Sequence, residues 1–149
     1  MGREDCVFCR IVKGEEESYT VYDDSDIQVI LDKYPVSRGH LLVITKKHYE
    51  GVQDVEPPLL AKAWLAASAL ASVYRKELKA SGVNVVTNSG RAAGQVVFHF
   101  HIHVIPRWSA MGSEFWGERR ILTDDEAKRV LSMVAPYAPD YIRRFTGSL

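Results

Sequence analysis

Apolar and polar residues alternate with a period of two in several short stretches of the chain, and recur with a helical period in one long stretch. Residues 27–31 put Ile27, Val29 and Leu31 on one side of a strand and Gln28 and Ile30 on the other. Residues 18–22, 40–44 and 83–87 read as further strands. The turn run Asp23-Asp24-Ser25-Asp26 and the loop from Lys33 to Gly39, with its Pro35 and Ser37, punctuate them. Pro57 and Pro58 open the best helix, which runs to about Lys79 with Leu59, Ala63, Leu70, Val73, Tyr74 and Leu78 among its apolar positions. Its many alanines favour helix and permit close packing, and Ser81-Gly82 stops it. Phe8, Ile11 and Val12 form a short turn or helix ended by Gly14. Thr123-Asp124-Asp125-Glu126 is a capping box that starts a short final helix through about Val134. Pro136 and Pro139 break the chain beyond it, leaving Tyr141–Phe145 as an arm packed on the domain or on a partner subunit, and residues 109–120 read as irregular.

A further alternating stretch, Phe98-His99-Phe100-His101-Ile102-His103-Val104-Ile105, carries chemistry as well as pattern. At a strand's period His99, His101 and His103 share one face, and Phe98, Phe100, Ile102 and Val104 take the other, against the core. Pro106, without an N–H, ends the strand. The chain has five histidines, and three on one face each need hydrogen-bond partners or a ligand. Metal binding, phosphoryl chemistry, or both, are the readings this leaves.

Composition narrows the setting. At 149 residues with 46% apolar and 26% charged positions, the chain reads as one domain with a real core. Lysine plus arginine balances aspartate plus glutamate at 19 each, so no global charge attracts nucleic acid. No signal-peptide pattern and no membrane-spanning apolar run is expected, which makes a cytoplasmic protein the default.

The remaining candidates are each open to a bland reading. Cys6 and Cys9 have the spacing of half a tetrahedral zinc site, of a redox pair, or of ordinary surface thiols. His48, just after a strand, is either a surface residue or a remote ligand for that half-site. Asp32 is a turn residue or a ligand at the end of a sheet, and Asn88 and Gln95 are turn residues or ligands beside the histidine face. Gly94 belongs to a glycine-containing loop whose N–H groups can wrap an anion, although it matches no nucleotide fingerprint.

His99-Phe100-His101-Ile102-His103-Val104-Ile105 resembles the signature of the histidine-triad family of nucleotide hydrolases and transferases, position for position. The Gly39–Ile44 strand with Lys47-His48 after it, Asp32, Asn88 and Gly94-Gln95 fall in the expected order, so the resemblance spans roughly Cys6 to Arg107. It implies an α+β fold: an antiparallel sheet of about five strands, one long helix and one shorter C-terminal helix. It implies a single histidine-triad domain over residues 1–149, with a zinc-anchored segment at 1–17, a variable C-terminal region at 108–149, and a homodimer.

The resemblance also implies an activity. A nucleotide, usually adenosine-containing, is attacked at its α-phosphorus by His101, giving a covalent nucleotidyl-histidine. His103 contacts the phosphate and helps the leaving group, and Gln95 orients it. Asn88, Gly94 and the backbone at Val96 hold the phosphate, Asp32 accepts from the ribose hydroxyls, and Ile30 lines the base pocket. Cys6, Cys9, His48 and His99 are the implied ligands of a structural zinc. His40 is expected behind the site, packed or hydrogen-bonded. Val96 departs from the pattern, standing where several members have Ser or Thr. Trp108, Phe115 and Trp116 are read equally as pocket, core or dimer residues.

Overall fold

The alternating stretches form one antiparallel sheet of five strands in a computed structural model that describes residues 3–149. Met1 and Gly2, where the expected N-terminal segment begins, lie outside the described residues. In chain order the elements are α1 (Val7–Lys13), β1 (Thr20–Asp23), β2 (Ile27–Leu31), β3 (Leu41–Thr45), α2 (Pro57–Ser72), β4 (Gly82–Val86), β5 (His101–Arg107), α3 (Asp124–Val134) and α4 (Ala138–Thr146). The sheet order is β1-β2-β3-β5-β4. The histidine strand is therefore inserted between two others, where its side chains have the least freedom to move.

The period-two pattern sorts the two faces. Ile27, Val29, Leu31, Leu41, Val43, Ile102 and Val104 pack against Ala63, Ala66, Ala67 and Leu70 of α2. The alanines let the helix lie close to the sheet. On the opposite face Ile30, Leu42 and Ile44 pack with Phe8, Cys9 and Ile11 of α1. The register pairs Ile44 with His101 and Leu42 with His103, which puts both imidazoles on the α1 side. Gly39 turns the chain into β3 at φ 96°, and a Cβ there would stand 2.7 Å from the Tyr74 hydroxyl, so this turn requires glycine.

Three expectations change. β5 starts at His101 rather than at Phe98, because the Phe100 N–H bonds the Tyr49 carbonyl outside the ladder. Pro106 does not end β5, which continues to Arg107. The Pro106 carbonyl accepts from Ser37 Oγ at 2.6 Å, so its N side faces the loop before β3 and costs no ladder bond to β4. Tyr141–Phe145 is not an arm but part of α4, where Pro139 sits in the tolerant first turn. Ile142 of α4 is fully buried in the main core, a burial worth roughly 1.5–3 kcal/mol.

Candidate functional site

Above the α1 face of the sheet lies a cavity of about 580 Å³, a size that accommodates a nucleotide. Val7, Phe8, Ile11, Ile30, Leu42 and Val97 make an apolar end, and Asn88, Gly94, Val96, His101 and His103 make a polar one. Asp32, Lys33 and Tyr34 stand along one side with Trp116 and Arg119. Of the residues expected to meet substrate, only Gln95 is absent from this lining.

The hydrogen-bond network settles the tautomers of the histidine pair. His101 Nδ1 lies 2.7 Å from the His99 carbonyl, an acceptor only, so Nδ1 carries the proton and Nε2 is left with a bare lone pair. The Val36 N–H donates to His40 Nδ1 at 3.2 Å, so the proton of a neutral His40 is on Nε2. His40 Nε2 then donates to His103 Nδ1 at 2.9 Å, which leaves the His103 proton on Nε2. A bare nitrogen and an N–H donor thus stand on one strand, two residues apart. Burial lowers the pKa of all three rings from the ordinary 6.5, to about 4 for His40, so they are neutral near pH 7.

Gln95 is used by its own loop. Its Oε1 accepts from Gly90 N–H at 2.8 Å, and its Nε2 donates to the carbonyls of Glu50 at 2.6 Å and Val97 at 3.1 Å. Every proton of the carboxamide is spent on backbone. The residue closes the turn from Gly90 to Gln95, with Gly90 and Gly94 at positive φ, beneath the polar end of the cavity. Val96, at 85% exposure, projects from this turn as an apolar side chain on the cavity rim.

Asp32 is buried. Its Oδ1 accepts from Tyr34 N–H and its Oδ2 from Arg119 Nη2, both at 2.8 Å. His40 Nε2 is 3.5 Å from Oδ2. Arg119 comes from the irregular segment before α3 and carries no periodic or motif signal in the sequence. Trp116 of the same segment packs edge-on over His103 with ring centroids 4.9 Å apart. Trp116 therefore belongs to the pocket, while Trp108 packs on Tyr74 and the core.

Beneath α1 a second constellation converges. The ligand atoms of Cys6, Cys9, His48 and His99 all lie within 4.8 Å of one another. Cys6 Sγ is 3.3 Å from His99 Nδ1, and Cys9 Sγ is 3.2 Å from His48 Nδ1 and 3.5 Å from His99 Nδ1. The two Nδ1 atoms are 3.1 Å apart. Tetrahedral zinc with sulfur and nitrogen ligands separates its ligand atoms by about 3.3–3.8 Å, close to this spacing. His99 Nε2 lies 2.6 Å from the Thr45 carbonyl, so its proton is there and a lone pair on Nδ1 points at the cluster. His48 Nε2 is buried with no hydrogen-bond partner among the described residues. Burial pushes the Cys6 thiol up, and a cation is what would favour its thiolate. The donor set fits a closed four-ligand metal site. A smaller trio, Asp32, His40 and His103, also converges, and its closeness is accounted for by the hydrogen bond between the two rings.

A histidine-bearing inner strand, a nucleotide-sized cavity above it and a bare imidazole nitrogen facing that cavity define a histidine-triad protein. The HIT domain family model matches residues 13–110, and the chain belongs to this family. An adenylylsulfatase of Arabidopsis thaliana is 36% identical over 138 residues, covering 89% of this chain and 68% of its own length. A hypothetical histidine triad nucleotide-binding protein of Sulfolobus tokodaii superposes with a TM-score of 0.81 at 35% identity, over 93% of this chain and 95% of that one. A zinc-bound histidine triad family protein of Mycobacterium smegmatis has a TM-score of 0.75 at 34% identity, covering 89% and 94% respectively. The fold is that of proteins acting on nucleotide and phosphate groups. Among the described residues no helix is long and apolar enough to cross a membrane.

Proposed function

We propose that this protein is a nucleotidyl hydrolase that cleaves adenosine 5′-phosphoramidates, dinucleoside polyphosphates or related conjugates at the α-phosphorus. The observation that carries this reading is the tautomer of His101, whose Nδ1 proton is held by the His99 carbonyl while Nε2 stays unprotonated. In the first step His101 Nε2 donates its lone pair to the α-phosphorus, a P–N bond forms, and the bond to the leaving group breaks with its electron pair. His103 Nε2–H stabilises the phosphate oxygens and assists protonation of the leaving group. Water then attacks the nucleotidyl-histidine, its released proton replaces the one passed through His103 to the leaving group, the electron pair of the P–N bond returns to His101 Nε2, and the nucleoside monophosphate is released. Two easier displacements replace one hard one. No general base is needed for the attack, because burial already keeps the ring neutral.

The other site residues take supporting roles in this reading. Ile30 meets the base, and Asp32 accepts from the ribose. Asn88, Gly94 and the backbone at Val96 hold the phosphate, with no hydroxyl at Val96 to assist departure. Gln95 acts by shaping the phosphate loop rather than by touching the phosphate, given where its carboxamide bonds. The relative named an adenylylsulfatase adds adenylyl sulfate to the conjugates worth offering.

We infer that zinc is the ion suited to Cys6, Cys9, His48 and His99. Four protein ligands leave no open coordination position, so its role is structural. It would pin α1, which lines the base end of the cavity and sets Phe8 edge-on to His101 at 5.0 Å. The N-terminal segment to residue 17 and the region from 108 onward are then the anchored and the variable parts of one domain. Homodimer formation and a cytoplasmic location complete the reading, and light scattering should return the molar mass of two chains rather than one.

Product analysis separates hydrolysis from transfer. With a fluorogenic adenosine phosphoramidate or a dinucleoside polyphosphate, we expect AMP as the adenylyl product with or without added inorganic phosphate. Formation of ADP when phosphate is present would show phosphate replacing water as acceptor and would make the protein a phosphorylase.

A further inference from the structure

We propose that Arg119 is a positioning residue for ribose recognition, fixing the Asp32 carboxylate so that each of its oxygens keeps one free acceptor site toward the cavity. This rests on Asp32 as the ribose acceptor and adds to it a residue outside the histidine-triad motif. A carboxylate offers about four acceptor sites, two on each oxygen. One site of Oδ1 is taken by Tyr34 N–H and one of Oδ2 by Arg119 Nη2, each at 2.8 Å. The nearby His40 Nε2 is committed to His103 Nδ1 at 2.9 Å and stands off Oδ2 at 3.5 Å. One site per oxygen is left, which matches the two donors of a vicinal 2′,3′-diol.

Arg119 is itself held in place. Its Nε donates to the Tyr34 carbonyl at 2.8 Å, so Tyr34 donates to Asp32 with its N–H and accepts from Arg119 with its C=O. The three residues close a ring. The guanidinium carbon lies 5.5 Å from the Trp116 ring centroid. On the C-terminal side, Leu122 N–H bonds the Lys33 carbonyl at 2.9 Å, tying the segment to the same loop. Two donors fixed on one planar group make this bracket, and a lysine ammonium cannot reproduce it. Without Arg119 the Tyr34 N–H on Oδ1 is left to orient the carboxylate, which can then turn its open acceptor sites away from the ribose.

The test is calorimetric binding of AMP and of 2′,3′-dideoxy-AMP to the full-length wild type, Arg119→Ala and Arg119→Lys, with melting temperatures to verify folding. Wild type should prefer AMP by about tenfold or more, the worth of hydrogen bonds to a charged acceptor. Arg119→Ala should bind AMP roughly tenfold more weakly and dideoxy-AMP unchanged, so that the preference collapses. Arg119→Lys keeps the charge but should restore only part of the preference. If wild type binds both nucleotides equally, the ribose role of Asp32 fails and this inference with it. If wild type discriminates and Arg119→Ala discriminates just as well, Asp32 keeps its role and Arg119 loses its own. An equal loss for both nucleotides also overturns it. Should Arg119→Ala not fold, full preference in Arg119→Lys does the same.

Discussion

His101→Ala should lose at least about a thousandfold in turnover of a fluorogenic adenosine phosphoramidate, because a covalent nucleophile has no substitute in the site. The ring is half-buried at the cavity floor, so its loss should leave the melting temperature and the metal content close to wild type. His40→Gln should fall by a smaller factor. The His40 ring donates to His103 and stands beside Asp32 rather than lining the cavity itself, and a glutamine amide can still donate toward His103 Nδ1. Steady-state kinetics on the three proteins checks the ranking. Equal rates for wild type and His101→Ala would remove the nucleophile from the mechanism.

Removing the metal ligands should have the largest effect on stability. The Cys6→Ala/Cys9→Ala variant leaves two imidazole nitrogens 3.1 Å apart with no cation between them. It also deletes the Cys6 cap of α1, whose sulfur accepts from the Cys9 N–H. A ligand that binds only the folded state stabilises it by about 4 kcal/mol at a thousandfold excess over Kd. We expect a loss of at least that order, and a drop in melting temperature on the order of 10 °C. Metal analysis should find zinc in wild type and none in the variant. Because α1 walls the base end of the cavity, AMP affinity should fall with it. Equal metal content in both proteins would exclude this ligand set.

The strands are legible in the sequence from the period-two recurrence of their apolar residues. Ile27, Val29 and Leu31 on one face and Ile30 on the other is such a case: both faces are buried, and they become two separate clusters. Proline is legible only with its position. Pro57 and Pro58 read correctly as a helix start, whereas Pro139, equally at a helix start, reads as a breaker. Pro106 reads as a strand end only if its missing N–H faces a partner strand, which it does not. Local pattern also says nothing of strand order, and the insertion of β5 between β3 and β4 depends on contacts far apart in sequence.

The candidate site divides in the same way. His101 and His103 lie on one short strand, so their shared face follows from period alone. The gathering of Cys6, Cys9, His48 and His99 spans 93 positions between Cys6 and His99; the Cys6/Cys9 half-site and His48 as its remote ligand are readable from spacing, and only the choice of His99 comes with the family resemblance. Arg119 has no signal. Its segment has no periodicity, and its place is fixed by bonds to the backbone of Lys33 and Tyr34 that no local pattern encodes. Gln95 shows the converse limit. Its position beside the histidine strand is clear from sequence, but which way the carboxamide points depends on the Glu50 carbonyl across the loop.

In the proposed mechanism His101 Nε2 carries the nucleotidyl group between the two displacements. Rapid acid-free quenching of wild type during turnover, then digestion and mass spectrometry of the peptide containing residues 98–105, tests it directly. An adenylyl group on His101 is expected, formed at a rate able to support turnover and absent from His101→Ala. An adduct on another residue, or turnover with no protein-bound adenylyl group in conditions where its breakdown is the slow step, would contradict it.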